Sequence, residues 1–402
     1  MKLTDSSFAA IGASPGTQVI TIASATTAFR QFMVYAATTI SSVISGGIGL
    51  IKNGTGELTL SGSKTYSGDT MINAGTLKAG STNAFSSNSE VSIATGATVD
   101  LGGFNNTISG LFTSSTGTIT DSSSAGNGGI LKIAHALGRG GVPQLLTVTG
   151  SVGLQIFGGT TVDSILTNTS NTYSGGTIIG NGSGTVPTRL LVSGTIGSGS
   201  AGAVTSGIYG TGTITLGAAI TDRSQIYFSG ATTVNNNIIV NSAAGQGGAD
   251  VGALRSEATN VFINGSINAN LADVVFSAAN AVGRTITVNG LISGNSGVRV
   301  TSFLTGSVIV TLNAVNNYLG ATAITSGELI TTSIISGPTG KFNKASFKNT
   351  SLSVTFSAVP LAGETYRLLP GVTTQTYSSV SLIGASGRTA TYNSTNSTLT
   401  IA

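Results

Sequence analysis

Side chains able to do chemistry are sparse in this 402-residue chain, and their spacing suits little of it. The one histidine, His135, sits in KIAHALG. A serine-hydrolase triad would have to use it, yet no G-x-S-x-G turn is present to offer a nucleophile. On an apolar stretch a single histidine reads as structural. There is no cysteine, so disulfides and thiolate metal ligands are excluded. The 13 acidic residues are scattered, with Asp250 and Glu257 the nearest pair, and no D-x-D or calcium-binding repeat occurs. No catalytic residue, cofactor site or metal site is expected. The chemistry that scattered carboxylates could still do is glycan cleavage, which needs two of them about 5–10 Å apart in a groove. Asp100 with Asp121, or Asp250 with Glu257, are the candidate pairs. Sugar grooves favour tryptophan platforms, and this chain has no tryptophan. Glycine-rich GTGTITLG at 210–217 lacks the Lys-Ser/Thr ending of a phosphate loop, so its glycines read as turn residues.

Charge argues the same way. Charged residues make up 7% of the chain, and 17 basic against 13 acidic residues give a net charge of +4. A nucleic-acid partner needs a clustered basic face, which is absent. The densest basic spot, KFNKASFK, places Lys341, Lys344 and Lys348 on what reads as a solvated edge. No run approaches the ~18 apolar residues of a membrane span.

The elements that would have to position any site are strands. Short aliphatic stretches such as ELTL, VSIA, TITVNG, VIVTL and LSVTF recur, rich in β-branched residues and punctuated by Gly, Asn and Ser. Although 58 glycines and few charges hint at disorder, the chain is 40% hydrophobic and can bury a core. One stretch is also written more than once. Residues 54–77, GTGELTLSGSKTYSGDTMINAGTL, align with residues 306–329, GSVIVTLNAVNNYLGATAITSGEL. Gly54, Leu60, Tyr66, Gly68, Thr70, Ile72, Gly75 and Leu77 meet Gly306, Leu312, Tyr318, Gly320, Thr322, Ile324, Gly327 and Leu329. A partial copy, NTYSGGTIIGNG at 171–182, holds Tyr173, Gly175, Thr177, Ile179 and Gly182 in the same places.

Repetition of this kind means stacked units. Period-two alternation turns Leu58 and Leu60 to one face. SGSKTYSG makes a corner, TMI sends Thr70 and Ile72 inward, and Gly75 suits a positive φ before Leu77 returns inward. Three short strands and three turns form one coil of ~20–25 residues that can bury its interior only against the next coil. Tyr66 reads as a packed cap over its corner. Asn-rich turns permit ladders between coils, and low charge follows from like positions stacking ~4.8 Å apart. The expected fold is all-β: a right-handed parallel β-helix (solenoid) with a distinct N-terminal cap and a small C-terminal β cap or sandwich. The expected divisions are 1–45, an N-terminal cap or attachment segment; 46–340, the β-helix; and 341–402, a C-terminal β cap or small β domain. Helical spacing of Phe29, Phe32, Met33 and Ala36 predicts a helical turn or cap within 26–45, and GGILKIAHALGRG at 128–140 reads as a second such place.

The 54–80 segment closely resembles the autotransporter-associated β-strand repeat, through Gly54, Gly56, Leu58, Leu60, Gly62, Tyr66, Gly68, Thr70, Ile72, Gly75 and Leu77. The 306–329 copy departs from it at Val308 and Val310, which stand where a Gly and a Leu belong. The resemblance implies a β-helical stalk on a surface-exposed protein, of the kind found in bacterial autotransporter passengers and phage virion proteins, and it brings no catalytic residues. No leader peptide is read in MKLTDSSFAAIGASPGTQVI, and no alternating strands of a membrane barrel are read near the C-terminus. The leading expectation is therefore a non-enzymatic virion component: a fibre, spike or capsid-surface protein. The alternative is an exported bacterial adhesin or extracellular filament subunit, and the third reading is a glycan depolymerase. Expected partners are further copies of the chain as a trimer or filament, other virion or cell-surface proteins, and a host-surface glycan, with no nucleic acid. The expected location is the virion surface or the cell exterior.

Overall fold

The structure is a computed structural model. It describes residues 2–3, 19–21, 29–111, 115–124, 128–134, 145–158, 162–163, 168–180, 182, 188–242, 252–257, 260–278, 282–302, 305–338, 340–371, 373–374, 376–377 and 379–402. The described residues are all-β, with no helix, and most strand pairs are parallel. Among the described residues no closed barrel forms, and the pairing is that of a β-helical solenoid. The chain divides into two compact units, residues 1–178 with 205–212 and residues 179–204 with 213–402.

In the first unit short strands fall into rows, one strand per coil. One row holds Phe29–Met33, Gly49–Asn53, Thr70–Ile72, Glu90–Ile93 and Gly110–Leu111. A second holds Thr38–Ile40, Glu57–Leu60, Thr76–Ala79, Thr98–Asp100, Thr118–Thr120 and Thr147–Val148. On a third face Val19–Thr21 pairs with Val43–Ser45, and further on Asn106–Ile108 pairs with Ile130–Ala134 and that strand with Gly153–Phe157. In-register pairing converts alternation along each strand into columns across coils. Leu58, Leu77, Val99, Ile119 and Val148 lie in one inward column, spaced 19, 22, 20 and 29 residues apart. All five are buried. Each fully buried aliphatic contributes roughly 1.5–3 kcal/mol, and the partner that buries it comes from the neighbouring coil.

The second unit repeats the scheme. Ile214, Ile238, Ile267 and Ile292 form one buried column, and Val261, Ile286, Val310 and Leu329 another. Two strands here are long. Ser224–Val234 pairs through Ile226–Phe228 with Leu254–Ser256 and through Thr232–Val234 with Val261–Ile263, so one strand serves two faces. It runs beside Thr188–Ile196 with a register shift between Val192 and Gly194. Past the last parallel coil the pairing changes sense. Glu328–Thr331 pairs antiparallel with Phe342–Lys348, which pairs antiparallel with Ser351–Phe356. Thr365–Arg367, Thr398–Ile401 and Ala390–Asn393 make a three-stranded antiparallel sheet. Tyr392 of that sheet packs edge to face with Phe347 and Tyr377, and Phe347 and Tyr377 are tilted on each other, with ring centroids 5.3–6.1 Å apart.

The helical reading of 26–45 is corrected. Phe29–Met33, Thr38–Ile40 and Val43–Ser45 are strands. A helix would have left the strand Gly49–Asn53 without the partner it has in Phe29–Met33, an expensive unpaired edge next to an apolar interior. The same holds for 128–140 as far as it is described: Ile130–Ala134 is a strand between two neighbours, and 135–140 lie outside the described residues.

The repeated glycine two places after each repeat tyrosine has a packing reason rather than a dihedral one. A Cβ on Gly68 would lie 2.1 Å from the amide nitrogen of Gly49, one on Gly320 2.3 Å from that of Gly297, and one on Gly175 2.6 Å from the carbonyl of Val152. Adjacent coils touch backbone to backbone at this corner. Gly68→Ala and Gly320→Ala should each lower the unfolding free energy by about 1–3 kcal/mol in urea melts. Gly47→Ala, where no neighbouring atom lies within 4 Å, should change it by less than about 0.5 kcal/mol.

Candidate functional site

The repeat residues assemble into a corner with the same geometry in each copy. Tyr66, Tyr173 and Tyr318 are fully buried. Their hydroxyls pair with Thr70 Oγ1 at 2.6 Å, Thr177 Oγ1 at 2.7 Å and Thr322 Oγ1 at 2.6 Å. Thr70 also reaches Ser89 Oγ, 2.8 Å away on the next coil. A buried phenol left unpaired would be costly, and an inward threonine at the start of the following strand satisfies it. That explains why a polar residue occupies the inward position beside Ile72. Leu58, Leu60, Ile72, Leu77 and Leu329 line the interiors, and Gly54, Gly75 and Gly327 turn at φ of 79°, 68° and 82°. These residues build the coils.

A second element of the corner is invisible to composition. Lys64 lies two residues before Tyr66 and is 3% exposed. Its Nζ donates to the carbonyls of Ser42, Ser61 and Gly62 at 3.0, 2.5 and 3.0 Å. In the other copies an asparagine takes this place. Asn171 Oδ1 accepts the amide of Val148 at 2.8 Å, and Asn316 Oδ1 accepts that of Ile292 at 2.7 Å. Lys52, fully buried, plugs another turn by donating to the carbonyls of Gly54 and Ala74, both at 2.8 Å. Burial lowers the pKa of both lysines, that of Lys64 to about 8. A lysine in a low-charge sequence reads as a solvated head group; the signal that could have found this role was the asparagine at the matching place.

Asparagine ladders run between coils. Asn264 donates to Asn235 at 2.8 Å, Asn289 to Asn264 at 2.7 Å and Asn313 to Asn289 at 2.7 Å, and Thr332 donates to Asn313 at 2.9 Å. In the first unit Asn73 donates to Asn53 at 3.0 Å. Side chains that both give and accept suit a stack, whereas like charges at that spacing repel.

Of the four candidate acids, Asp100, Asp121 and Glu257 are described and each is engaged by neighbouring groups. Asp100 Oδ1 accepts the amides of Gly102 and Ser122, both at 2.9 Å, and Lys78 lies 3.3 Å from Oδ2. Burial alone would raise its pKa, but the hydrogen bonds from Ser122 and Gly102 and the charge of Lys78 outweigh it and the net shift is downward. A general acid needs the opposite. Asp121 accepts the amides of Gly103, Ser123 and Gly129 at 3.0, 2.8 and 2.6 Å. Both aspartates clamp turns. Glu257 is paired with Arg255 at 3.0 Å, while Asp250 and His135 lie outside the described residues. Of the terminal lysines, Lys341 pairs with Glu364 at 2.5 Å, Lys348 lies 3.8 Å from Glu328, and Lys344 is exposed. Among the described residues no group of three or more His, Cys, Asp or Glu could hold a metal ion, and no helix is long and apolar enough to cross a membrane.

The chain carries an autotransporter passenger-type β repeat: residues 50–79 match the passenger-associated-transport-repeat family. A stretch of 146 residues is 34% identical to the adhesin BmaC autotransporter of Brucella suis biovar 1 (strain 1330). That stretch is 36% of this chain and spans 4% of the adhesin's length. No solved structure matches.

The corners set the response to alkali. Burial pushes Tyr66 up to about 12 from an ordinary 10.0, and raises Tyr173 and Tyr318 as well. Above pH 10 the unfolded chain releases these protons while the folded one keeps them, so the stability they give is complete below pH 10 and is lost as pH climbs toward 12. Lys64 acts in the other direction. With a folded pKa of about 8 against 10.5, the unfolded chain holds more protons between those values, and stability rises there by up to about 3 kcal/mol. Urea melts across this range should show a rise from pH 8 and a fall above pH 10. Lys64→Met should reduce the rise, leaving what Lys52 contributes, and Tyr66→Phe should soften the fall.

Proposed function

We propose that this chain is part of an exported, surface-exposed passenger that works as a structural and adhesive element without chemistry of its own. The observation that carries the reading is the 146-residue likeness to a bacterial adhesin, in a chain whose repeat is of the passenger type. The likeness favours an extracellular or cell-surface location. Sequence alone placed a phage virion component first; no comparison bears on a virion, and the exported adhesin is the better supported of the two.

The side chains agree with a mechanical role. Repeat tyrosines, buried lysines and buried aspartates spend their polar atoms within their own turns and on neighbouring coils. The outer faces are mostly Ser, Thr and Asn, weakly charged and compatible with a crowded envelope. One outward stack adds contact chemistry: Tyr227 lies between the guanidinium groups of Arg189 and Arg255, at 4.9 and 4.8 Å from the ring.

Antibodies against the chain should label intact cells of the strain that encodes it, and deleting the gene should reduce attachment to host cells without slowing growth. Labelling only after permeabilisation, or undiminished attachment, would overturn the reading.

A further inference from the structure

In the second unit the corner at 316–319 faces the turn after the strand Thr365–Arg367, and a cleft of about 340 Å³ opens between them. Asn317, Leu319, Ile335, Arg367, Pro370 and Gly371 line it. The cleft is well defined on the corner side, because Gly371 packs against the carbonyl of Gly320 closely enough that a Cβ there would lie 2.5 Å from it. Asn316 and Tyr318, also at its wall, are buried with their side chains committed to Ile292, Ala314 and Thr322.

Arg189, Arg284 and Arg367 each have an Nε shielded from solvent without a hydrogen-bond partner, and of the three Arg367 lines this cleft. Its main chain is tied to Ile335 and Ser336, but its guanidinium has no hydrogen bond or ion pair among the described residues, and Nε is shielded from solvent without a partner. Of the other basic groups in the C-terminal strands, Lys341 is paired with Glu364 and Lys348 lies near Glu328, while Lys344 is exposed. A half-buried, uncompensated cation facing a cleft can take an anion, and a planar guanidinium suits a carboxylate through two parallel hydrogen bonds. Asn317, exposed at the rim, adds an amide that can donate to the same group or to a hydroxyl. The rest of the cleft is apolar: Leu319 is 72% exposed at its edge, with Ile335 and Pro370 beside it. The backbone amides of Asn317 and Leu319 are already bonded to Ile292 and Gly294, so they are not free to cradle a peptide terminus.

We propose that this cleft is a subsite for an acidic sugar, in which Arg367 takes the carboxylate, Asn317 takes a neighbouring oxygen, and Leu319, Ile335 and Pro370 cover the carbon face of the ring. The volume lies at the small end of ligand sites, which fits one residue of a longer glycan held weakly and repeated across many chains. The proposal deepens the adhesive reading by giving it a ligand class, and it rests on that reading only for its biological setting.

The test is titration of the purified full chain with galacturonate and N-acetylneuraminate, and with neutral galactose, followed by NMR or calorimetry. Saturable binding of at least one acidic sugar is expected, weakening as salt rises, with no binding of galactose. Arg367→Gln should lower the affinity about tenfold or more. Leu319→Asp, at an exposed edge position that folding does not need, should do the same by repelling the carboxylate, and thermal melts of both variants check that they fold. Equal binding of galactose and galacturonate, affinities unchanged in Leu319→Asp, competition by sulfate alone in place of sugar, or no saturable binding would overturn the subsite. None of these results touches surface display, which the labelling experiment reads separately.

Discussion

No coil of this chain can bury its own inward face. Everything else in the structure depends on that constraint. A coil of about twenty residues presents two or three aliphatic side chains to its interior, too few to close a core alone, and the missing partners are supplied at the matching positions of the coils above and below. Columns such as Leu58, Leu77, Val99, Ile119 and Val148 are the result. Because parallel pairing holds the register, the identity of one residue restricts its neighbours in the column, and the sequence becomes repetitive wherever coils are regular.

The same stacking decides what polar groups can do. At corners the backbone bends away from the ladder, and carbonyls and amides lose their partners. The chain meets this with buried donors and acceptors: Lys64, Asn171 and Asn316 at one place, Lys52 and Asp121 at others. The tyrosine–threonine pair fills the corner and satisfies itself. On outer faces, Asn and Thr ladders bond from coil to coil where charges of one sign would repel, so a chain with 7% charged residues is what this architecture selects. A surface of that kind is chemically quiet, which suits a spacer.

Much of this was legible in the sequence, for physical reasons. Period-two alternation in ELTL and VIVTL and the recurrence of Y-x-G-x-T-x-I carry strand and coil directly, because each inward residue has the same environment in every coil. What failed was local reasoning where a tertiary neighbour decides. Phe29, Phe32, Met33 and Ala36 have helical spacing, yet the edge of Gly49–Asn53 makes strand the better state. Lys64 reads as solvent-facing until the carbonyls that surround it are in place. The long strands Thr188–Ile196 and Ser224–Val234, which serve more than one face, depart from the coil period and left no repeat to read. Arg367 belongs to a cleft whose walls are separated by some fifty residues of sequence, so spacing alone could not join it to Asn317 and Leu319.

One distance tests the stacking of the coils most directly. Outward positions Thr39, Thr59, Lys78, Asp100 and Thr120 face one another in succession across parallel pairs, so Thr39 and Thr120 are four coils apart. The chain has no cysteine, and spin labels at Thr39→Cys and Thr120→Cys can be placed without background. Pulsed electron spin resonance should give a narrow distribution near the four-step separation of about 19 Å, widened only by the label arms. A broad distribution, or one centred beyond about twice that separation, would mean that these segments do not stack as consecutive coils.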